Sequence, residues 1–234
     1  MDPKMLGLMG GVGAVGAGGA YLAMTNPFKE EKSAADLLQK EAFVKPLNKD
    51  DAKWNDAWKR YRDAHKVTST GGANNYKEID IWGLSNWAQQ KTQENAFDEF
   101  KNKCEEKSKL KMDPISKDYQ DFKNYCARPK TISELIGEDD GVTLLSKSGA
   151  GDGEHWNSAW KKYRASNLKS GSSSEYNKTD IWTVTGWSSD KSNGTATENY
   201  KTKCESQAAL DIDVSKGLKD TNFVNVRNWC TKAS

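Results

Sequence analysis

The sequence predicts an all-α protein, in which an N-terminal transmembrane helix precedes two homologous small helical bundles, each closed by one disulfide. Three observations support this architecture: an uncharged stretch near the start of the chain, a tryptophan-rich decapeptide that occurs twice, and four cysteines at matching places. The predicted boundaries are 1–32 for the membrane anchor or signal segment with its stalk, 33–130 for the first half and 131–234 for the second half.

The stretch Met5–Met24 contains no charged residue. A helix of this length rises about 1.5 Å per residue and spans about 30 Å, the thickness of a bilayer core. It therefore predicts a single-pass anchor in contact with lipid at the cell membrane, with both halves outside the cell. A cleaved signal peptide, for which Gly18–Ala20 offers a small-residue cleavage site, and a glycine-rich soluble tail remain as alternatives. Small residues four apart, which favour association between two such helices, are Gly7 with Gly11 and Gly16 with Ala20.

Four sequence blocks recur about a hundred residues apart. The most distinctive is "KWNDAWKRYR" at Lys53–Arg62, which returns as "HWNSAWKKYR" at His155–Arg164. "YKEIDIWGLSNW" (Tyr76–Trp87) likewise returns as "YNKTDIWTVTGW" (Tyr176–Trp187). Stacked solenoid units repeat every 20–50 residues, so this longer period indicates a tandem duplication of a domain.

The recurring decapeptide has the spacing of an amphipathic helix. Its aromatic residues fall at i, i+4 and i+7, on one helical face, whereas most of its Lys and Arg residues fall elsewhere. This separation favours a buried core stripe over a stacking platform for a base or a sugar. The predicted core aromatic residues are Trp54, Trp58 and Tyr61 in the first half and Trp156, Trp160 and Tyr163 in the second.

Other local signals predict about four helices per half. Ser33 with Asp36, and Thr131 with Glu134, fit a capping box that begins a helix. The stretch Ile79–Trp87 fits a strand or a helix equally well. Cys126–Thr131 is predicted to be a very short connection between the halves.

Each half contains two cysteines, and we predict the disulfides Cys104–Cys126 and Cys204–Cys230. Each would close a loop of about 22 to 26 residues and contribute roughly 3 kcal/mol of stability. Disulfides are typical of oxidising compartments, which agrees with an extracytoplasmic location. Reduced core thiols and a four-cysteine zinc site are the alternatives, and the absence of a C-x-x-C pair disfavours zinc.

The sequence carries no catalytic signature. Its 35 Lys and Arg residues nearly balance its 33 Asp and Glu residues, which argues against a nucleic-acid partner. Of the two histidines, His65 corresponds to Asn167 and His155 corresponds to Lys53, so neither recurs in the other half. We therefore predict no enzymatic activity, no catalytic, metal-binding or cofactor-binding residues, and no cofactor.

Two functional alternatives remain open. One is a hydrolase that uses carboxylates in a cleft between the halves, since clefts between domains often hold active sites. The other is a membrane-tethered protein that binds a sugar or a nucleotide through exposed tryptophans. Those tryptophans would be Trp82, Trp87, Trp182 and Trp187.

Four elements together resemble large paralogous protein families of haemotropic mycoplasmas. They are Met5–Met24, Leu37-Leu38, the helix Trp54–Arg62 and the closing Asn228–Thr231. The resemblance implies a membrane-anchored or surface protein that binds a protein or host-surface partner, or that serves antigenic variation. It assigns no functional residue. Many members of those families carry one unit, whereas this chain carries two.

Overall fold

Five α-helices in each half account for most of the regular structure in the described part of the chain. The computed structural model describes residues 32–67, 75–149 and 151–234, which lie in one compact unit, Glu31–Ser234. The first half contains α1 (Ala34–Leu38), α2 (Trp54–Ala64), α3 (Trp87–Gln90), α4 (Asp98–Ser108) and α5 (Lys117–Cys126). The second half contains α6 (Ile132–Gly137), α7 (Gly153–Ala165), α8 (Trp187–Asp190), α9 (Glu198–Ala208), a 3₁₀ helix (Gly217–Lys219) and α10 (Thr221–Trp229).

Short antiparallel strands join the ends of these helices, so the predicted all-α fold is wrong. The strands are β1 (Val44–Pro46), β2 (Lys66–Val67), β3 (Asn75–Tyr76), β4 (Ala127–Pro129), β5 (Val142–Leu144) and β6 (Thr231–Ala233). They pair as β1 with β4, β2 with β3, and β5 with β6. The predicted short connection after Cys126 is itself β4, because Pro129 favours an extended backbone in the residue before it.

The predicted membrane location is also corrected. In the ranges that the structure describes, no helix is both long enough and apolar enough to cross a bilayer. This finding contradicts a single-pass protein of the cell membrane with both halves outside the cell. The predicted span Met5–Met24, with its lipid contact and its small-residue association, lies outside the described residues.

Capping boxes begin the first helix of each half, as the sequence predicts. The hydroxyl of Ser33 accepts a hydrogen bond from the backbone N–H of Asp36, whose carboxylate accepts one from the N–H of Ser33. Thr131 and Glu134 make the same reciprocal pair at α6. Each box satisfies backbone donors that a helix start leaves unpaired.

The aromatic stripes of α2 and α7 occupy the centres of two separate cores, one per half. Trp58, Tyr61, Trp160 and Tyr163 have no solvent exposure, and Trp54 and Trp156 are buried as well. Neighbouring rings pack edge to face in both cores, since each core contains a T-shaped tryptophan pair. Their centroids are 6.0 Å apart for Trp58 with Trp87 and 5.8 Å apart for Trp160 with Trp187.

A buried tyrosine–aspartate bond ties an irregular loop to each stripe. The hydroxyl of Tyr61 donates to the carboxylate of Asp80. That carboxylate also accepts the backbone N–H groups of Trp82 at 2.8 Å and Leu84 at 2.9 Å. Burial, and then this bond, raise the pKa of Tyr61 far above its ordinary value, so the hydroxyl keeps its proton and remains a donor. The loop is therefore neither the strand nor the helix that its sequence allowed.

The second half repeats this arrangement, except that the N–H of Trp182 donates to the hydroxyl of Tyr163, at 3.1 Å, and not to the aspartate carboxylate. Tyr163 donates to the carboxylate of Asp180, which accepts the N–H of Val184 at 2.9 Å. Burial again raises the pKa of Tyr163. These matched bonds agree with a duplication, and the division into domains at 130/131 stays a prediction.

His65 and Asn167 perform the same structural task. Nε2 of His65 accepts the backbone N–H of Ile81 at 3.1 Å, so its Nδ1 carries the proton donated to the carbonyl of Tyr61 at 2.7 Å. The amide of Asn167 accepts from Ile181 at 2.8 Å and donates to the carbonyl of Tyr163 at 2.8 Å. A neutral imidazole and an amide both offer one donor and one acceptor, which explains the exchange.

Arg128 links the two halves through charged hydrogen bonds. Its guanidinium donates to both oxygens of Glu134, at 2.7 and 2.9 Å, and to Asp51 at 2.8 Å. Lys45 donates to the same Glu134 at 2.8 Å. Because Glu134 also caps α6, this cluster fixes the start of the second half against β1 and β4 of the first.

An aromatic side chain and a second ion pair extend that junction. Phe43 belongs to the first half but packs against the core of the second. A Cβ at Gly217 would lie 2.7 Å from the ring of Phe43, so this position requires glycine. Lys53 pairs with Asp211 across the junction at 2.8 Å.

We expect His65→Asn to leave the fold nearly as stable and His65→Ala to lower the free energy of unfolding by about 3 kcal/mol. Alanine leaves a buried donor and acceptor unpaired and opens a cavity, whereas asparagine restores both hydrogen bonds. Urea unfolding followed by tryptophan fluorescence measures both changes. Equal destabilisation by the two substitutions would refute the shared role of His65 and Asn167.

We also expect acid to weaken the junction. Hydrogen bonds from Arg128, and then from Lys45, hold the pKa of Glu134 well below its ordinary value of 4.5. This stabilisation is therefore complete above that ordinary value and is lost as the pH falls below it. Glu134→Gln should lower the free energy of unfolding by about 2 kcal/mol at pH 7, and by progressively less as the solution is acidified below 4.5.

Urea unfolding of both proteins across this pH range tests the expectation. The control is Glu175→Gln, which removes an exposed pair with Lys169 and should change stability little at any pH. A constant difference between wild type and Glu134→Gln down to pH 3 would contradict the assignment.

Candidate functional site

An open groove of about 680 Å³ lies in the first half beside its disulfide. Its floor is apolar and is formed by Leu47, Trp54, Phe122 and the Cys104–Cys126 pair. The indole N–H of Trp54 donates to the carbonyl of Asn48 at 2.8 Å, which holds the ring against the loop after β1. A volume of this size lies within the range of pockets that bind small molecules or peptide side chains.

Polar side chains form the rim of this groove. One wall is a single face of α4, because its residues there are spaced three or four apart. The opposite wall is the loop after β1, with Lys49 and Asp50. The α4 wall consists of Asp98, Lys101, Asn102, Glu105 and Ser108.

The matching place in the second half holds a smaller cavity, of about 220 Å³. It lies beside the second disulfide, between Leu144 and Leu145 on one side and α9 on the other. Its disulfide is Cys204–Cys230, and its α9 residues include Glu205 and Ala208. The two cavities are therefore versions of one feature, and the first is about three times as large.

In the second half, a lysine links the loop after β5 to helix α9. Lys147, the counterpart of Lys49, donates to the hydroxyl of Thr202 at 2.8 Å and lies 3.7 Å from the carboxylate of Glu198. Lys201 approaches the same carboxylate to 2.7 Å. These contacts link the loop after β5 to helix α9.

The first half lacks these closing contacts. Asn102 stands in the place of Thr202, and Asp98, one methylene shorter, stands in the place of Glu198. Within the described ranges, the side chains of Lys49 and Lys101 make no hydrogen bond or ion pair like those of Lys147 and Lys201, and the Lys49 ammonium interacts at longer range with the carboxylate of Glu105. The loop after β1 and helix α4 therefore lack these links, and the groove beside Trp54 is the larger of the two cavities.

Both predicted disulfides are present and form part of the two cavities. Cys104 and Cys126 join α4 to the end of α5, and their Cα atoms are 5.4 Å apart. Cys204 and Cys230 join α9 to the end of α10, with Cα atoms 5.7 Å apart. Each bridge holds one cavity wall to the core of its half.

The four tryptophans proposed as a stacking platform do not form one. Trp87, Trp182 and Trp187 are buried, with 2 to 5% of their surface exposed. Trp82 is half-buried beneath the ammonium of Lys107, which lies 5.1 Å from its ring centroid. These rings belong to the cores, which leaves the sugar- or nucleotide-binding alternative without a site at these tryptophans.

A third cavity, of about 590 Å³, lies between the halves and is lined by Phe43, Leu218 and Phe223. Its carboxylates lie in ion pairs, Glu138 with Lys130 at 2.9 Å and Asp139 with Arg227 at 3.0 Å. Both carboxylates are thus engaged by cations, an arrangement that does not favour the hydrolase alternative. Within the described ranges no group of three or more His, Cys, Asp and Glu residues could hold a metal ion.

No protein-family model, curated protein or solved structure matches this chain. The inference of function therefore rests on the groove, and the resemblance to families of haemotropic mycoplasmas stays a prediction. Sequence reasoning missed the groove because its lining comes from four separate segments. The one available signal was a difference between the halves: Asn102 in the first half corresponds to Thr202 in the second, next to a lysine that both halves share.

We expect loss of either disulfide to destabilise its half strongly. The loops that they close span 22 and 26 residues, and on the loop-entropy account each bridge contributes about 3 kcal/mol. The double substitutions Cys104→Ala/Cys126→Ala and Cys204→Ala/Cys230→Ala should each lower the free energy of unfolding by that amount in urea. Unchanged stability in either variant, or cysteine pairs other than these in a non-reducing mass map, would contradict the expectation.

Proposed function

We propose that the protein is a binding protein without enzymatic activity, whose groove in the first half takes an extended segment of another protein. The observation that carries this proposal is the contrast between the two halves. The same cavity measures about 220 Å³ in the second half, where Lys147 contacts α9, and about 680 Å³ beside Lys49 in the first. An apolar floor with a polar rim suits one anchored side chain and its polar neighbours.

The chemistry of the groove favours binding over catalysis. Its one hydroxyl, on Ser108, donates to the backbone carbonyl of Glu105 at 2.7 Å rather than to a general base. Its two cysteines are joined in a disulfide, so they offer no thiolate nucleophile. The remaining polar groups are ammonium, amide and carboxylate groups on an open rim, which suit recognition.

The resemblance to protein families of haemotropic mycoplasmas supports the same class of function. Those families imply adhesion to a partner or variation of an exposed surface, and neither role needs a catalytic site. A groove for a segment of a protein or host-surface partner is consistent with adhesion. This comparison supports the class of function and names no partner.

Substitutions that close the groove should weaken peptide binding. In Asp98→Glu/Asn102→Thr, Lys49 gains the two partners that Lys147 has in the second half, and the loop after β1 closes on α4. Linear peptides selected from a random display library against the wild-type protein are the probe. Calorimetry should show that the closing substitutions weaken their binding at least about tenfold, a loss of about 1.4 kcal/mol.

The matched control is the reverse exchange in the second half, Glu198→Asp/Thr202→Asn, which should leave peptide affinity unchanged. Circular dichroism and urea unfolding verify that both variants fold. The proposal fails if no peptide is enriched on the wild type over the closed variant. It fails equally if selected peptides bind both proteins with the same affinity.

A further inference from the structure

The loop between α8 and α9 presents an asparagine followed by a glycine, Asn193-Gly194, and this pair occurs once in the chain. Asn193 is exposed, and within the described ranges its side-chain amide makes no hydrogen bond or ion pair. The backbone N–H of Gly194 donates no hydrogen bond in that part of the chain either. An amide carbon without partners therefore lies next in sequence to a backbone nitrogen without partners.

The fold does not require glycine at this position. The φ of Gly194 lies outside the left-handed region that favours glycine, and a Cβ added there would meet no atom within 4 Å. In the first half, Glu94 takes the place of Gly194, and Gln93 takes the place of Asn193. The asparagine–glycine pair is thus a feature of the second half alone, and the backbone of the loop can be formed without it.

The main-chain carbonyl of Asn193 supports the core of the second half. It accepts the indole N–H of Trp160 at 3.0 Å, and the carbonyl of Gln93 accepts that of Trp58 at the same distance in the first half. Trp160 has no solvent exposure and packs edge to face on Trp187. A change in the backbone at Asn193 would therefore alter a hydrogen bond of a fully buried ring.

We propose that Asn193 is a site of spontaneous deamidation, through which the second half acquires a negative charge and, in part of the product, a longer backbone. The backbone nitrogen of Gly194 loses its proton and attacks the side-chain amide carbon of Asn193, whose nitrogen leaves as ammonia. One water molecule then opens the cyclic imide at either carbonyl, which gives aspartate or isoaspartate. Glycine favours ring closure because it has no Cβ and adopts a wide range of backbone angles. Asparagine is among the thermally labile residues of proteins.

Peptide mapping by mass spectrometry of the folded protein, after warm incubation at mildly alkaline pH, tests this inference, which is independent of peptide binding by the groove. The peptide that contains Asn193 should gain the mass difference between an amide and an acid, and should separate into two isomers on chromatography. It should do so before any other asparagine peptide of the chain. The gain should be faster at higher pH, because hydroxide removes the proton of the attacking nitrogen.

Two substitutions should suppress this mass gain and keep the fold, which circular dichroism verifies. Asn193→Gln copies the residue that makes the same main-chain contact in the first half, and Gly194→Ala adds a Cβ for which there is room. The matched exchange Gln93→Asn/Glu94→Gly should create a second labile site in the first half. An Asn193 that keeps its amide while other asparagines lose theirs would overturn the proposal, as would a rate that Gly194→Ala leaves unchanged.

The longer backbone has a separate consequence for stability. The isoaspartate form, purified by ion exchange, should unfold at a lower urea concentration than Asn193→Asp, which carries the same added charge on a normal backbone. Tryptophan fluorescence follows both transitions. Equal urea midpoints for the two proteins would overturn the effect on the hydrogen bond of Trp160.

Discussion

A tyrosine hydroxyl bonded to a buried aspartate carboxylate is the interaction on which each half of this protein depends. Burying a carboxylate is costly unless its oxygens are hydrogen-bonded. Asp80 meets this condition with the hydroxyl of Tyr61 and two backbone N–H groups of its own loop. The bond places the loop over the aromatic helix and sets Trp87 against Trp58. A chain with few aliphatic residues can thus close a core around indole and phenol rings, with Asp180 repeating the arrangement in the second half.

The sequence predicted those parts of the fold whose cause is local. Trp54, Trp58 and Tyr61 reveal their helix by spacing alone, and the capping boxes mark where α1 and α6 begin. The cysteine pairs followed from their matching places in the two halves. Strands β1 and β4 could not be predicted, because three-residue strands show no alternation and their partners are more than eighty residues apart. The groove was also beyond prediction, since its opening depends on whether one lysine reaches α4.

Duplication supplies an internal reference for separating structural residues from candidates for function. His65 has no histidine counterpart in the second half, yet Asn167 makes the same two hydrogen bonds. A difference in residue type with an unchanged bonding pattern therefore indicates a structural role. Lys49 and Lys147 show the opposite case, in which the residue type is the same and the contacts differ. Identical side chains with different contacts indicate a surface position whose contacts the fold does not require.

The open groove is also preorganised, which bears on how tightly it can bind. The disulfide holds α4 to the end of α5, and Trp54 is held by its hydrogen bond to Asn48. A ligand that enters such a site loses its own freedom but orders little of the protein, so more of the interaction energy appears as affinity. In the second half, the carboxylate of Glu198 lies 2.7 Å from Lys201 and 3.7 Å from Lys147. Two differences, Glu198 in place of Asp98 and Thr202 in place of Asn102, thus separate the smaller, cross-linked cavity of the second half from the larger groove of the first.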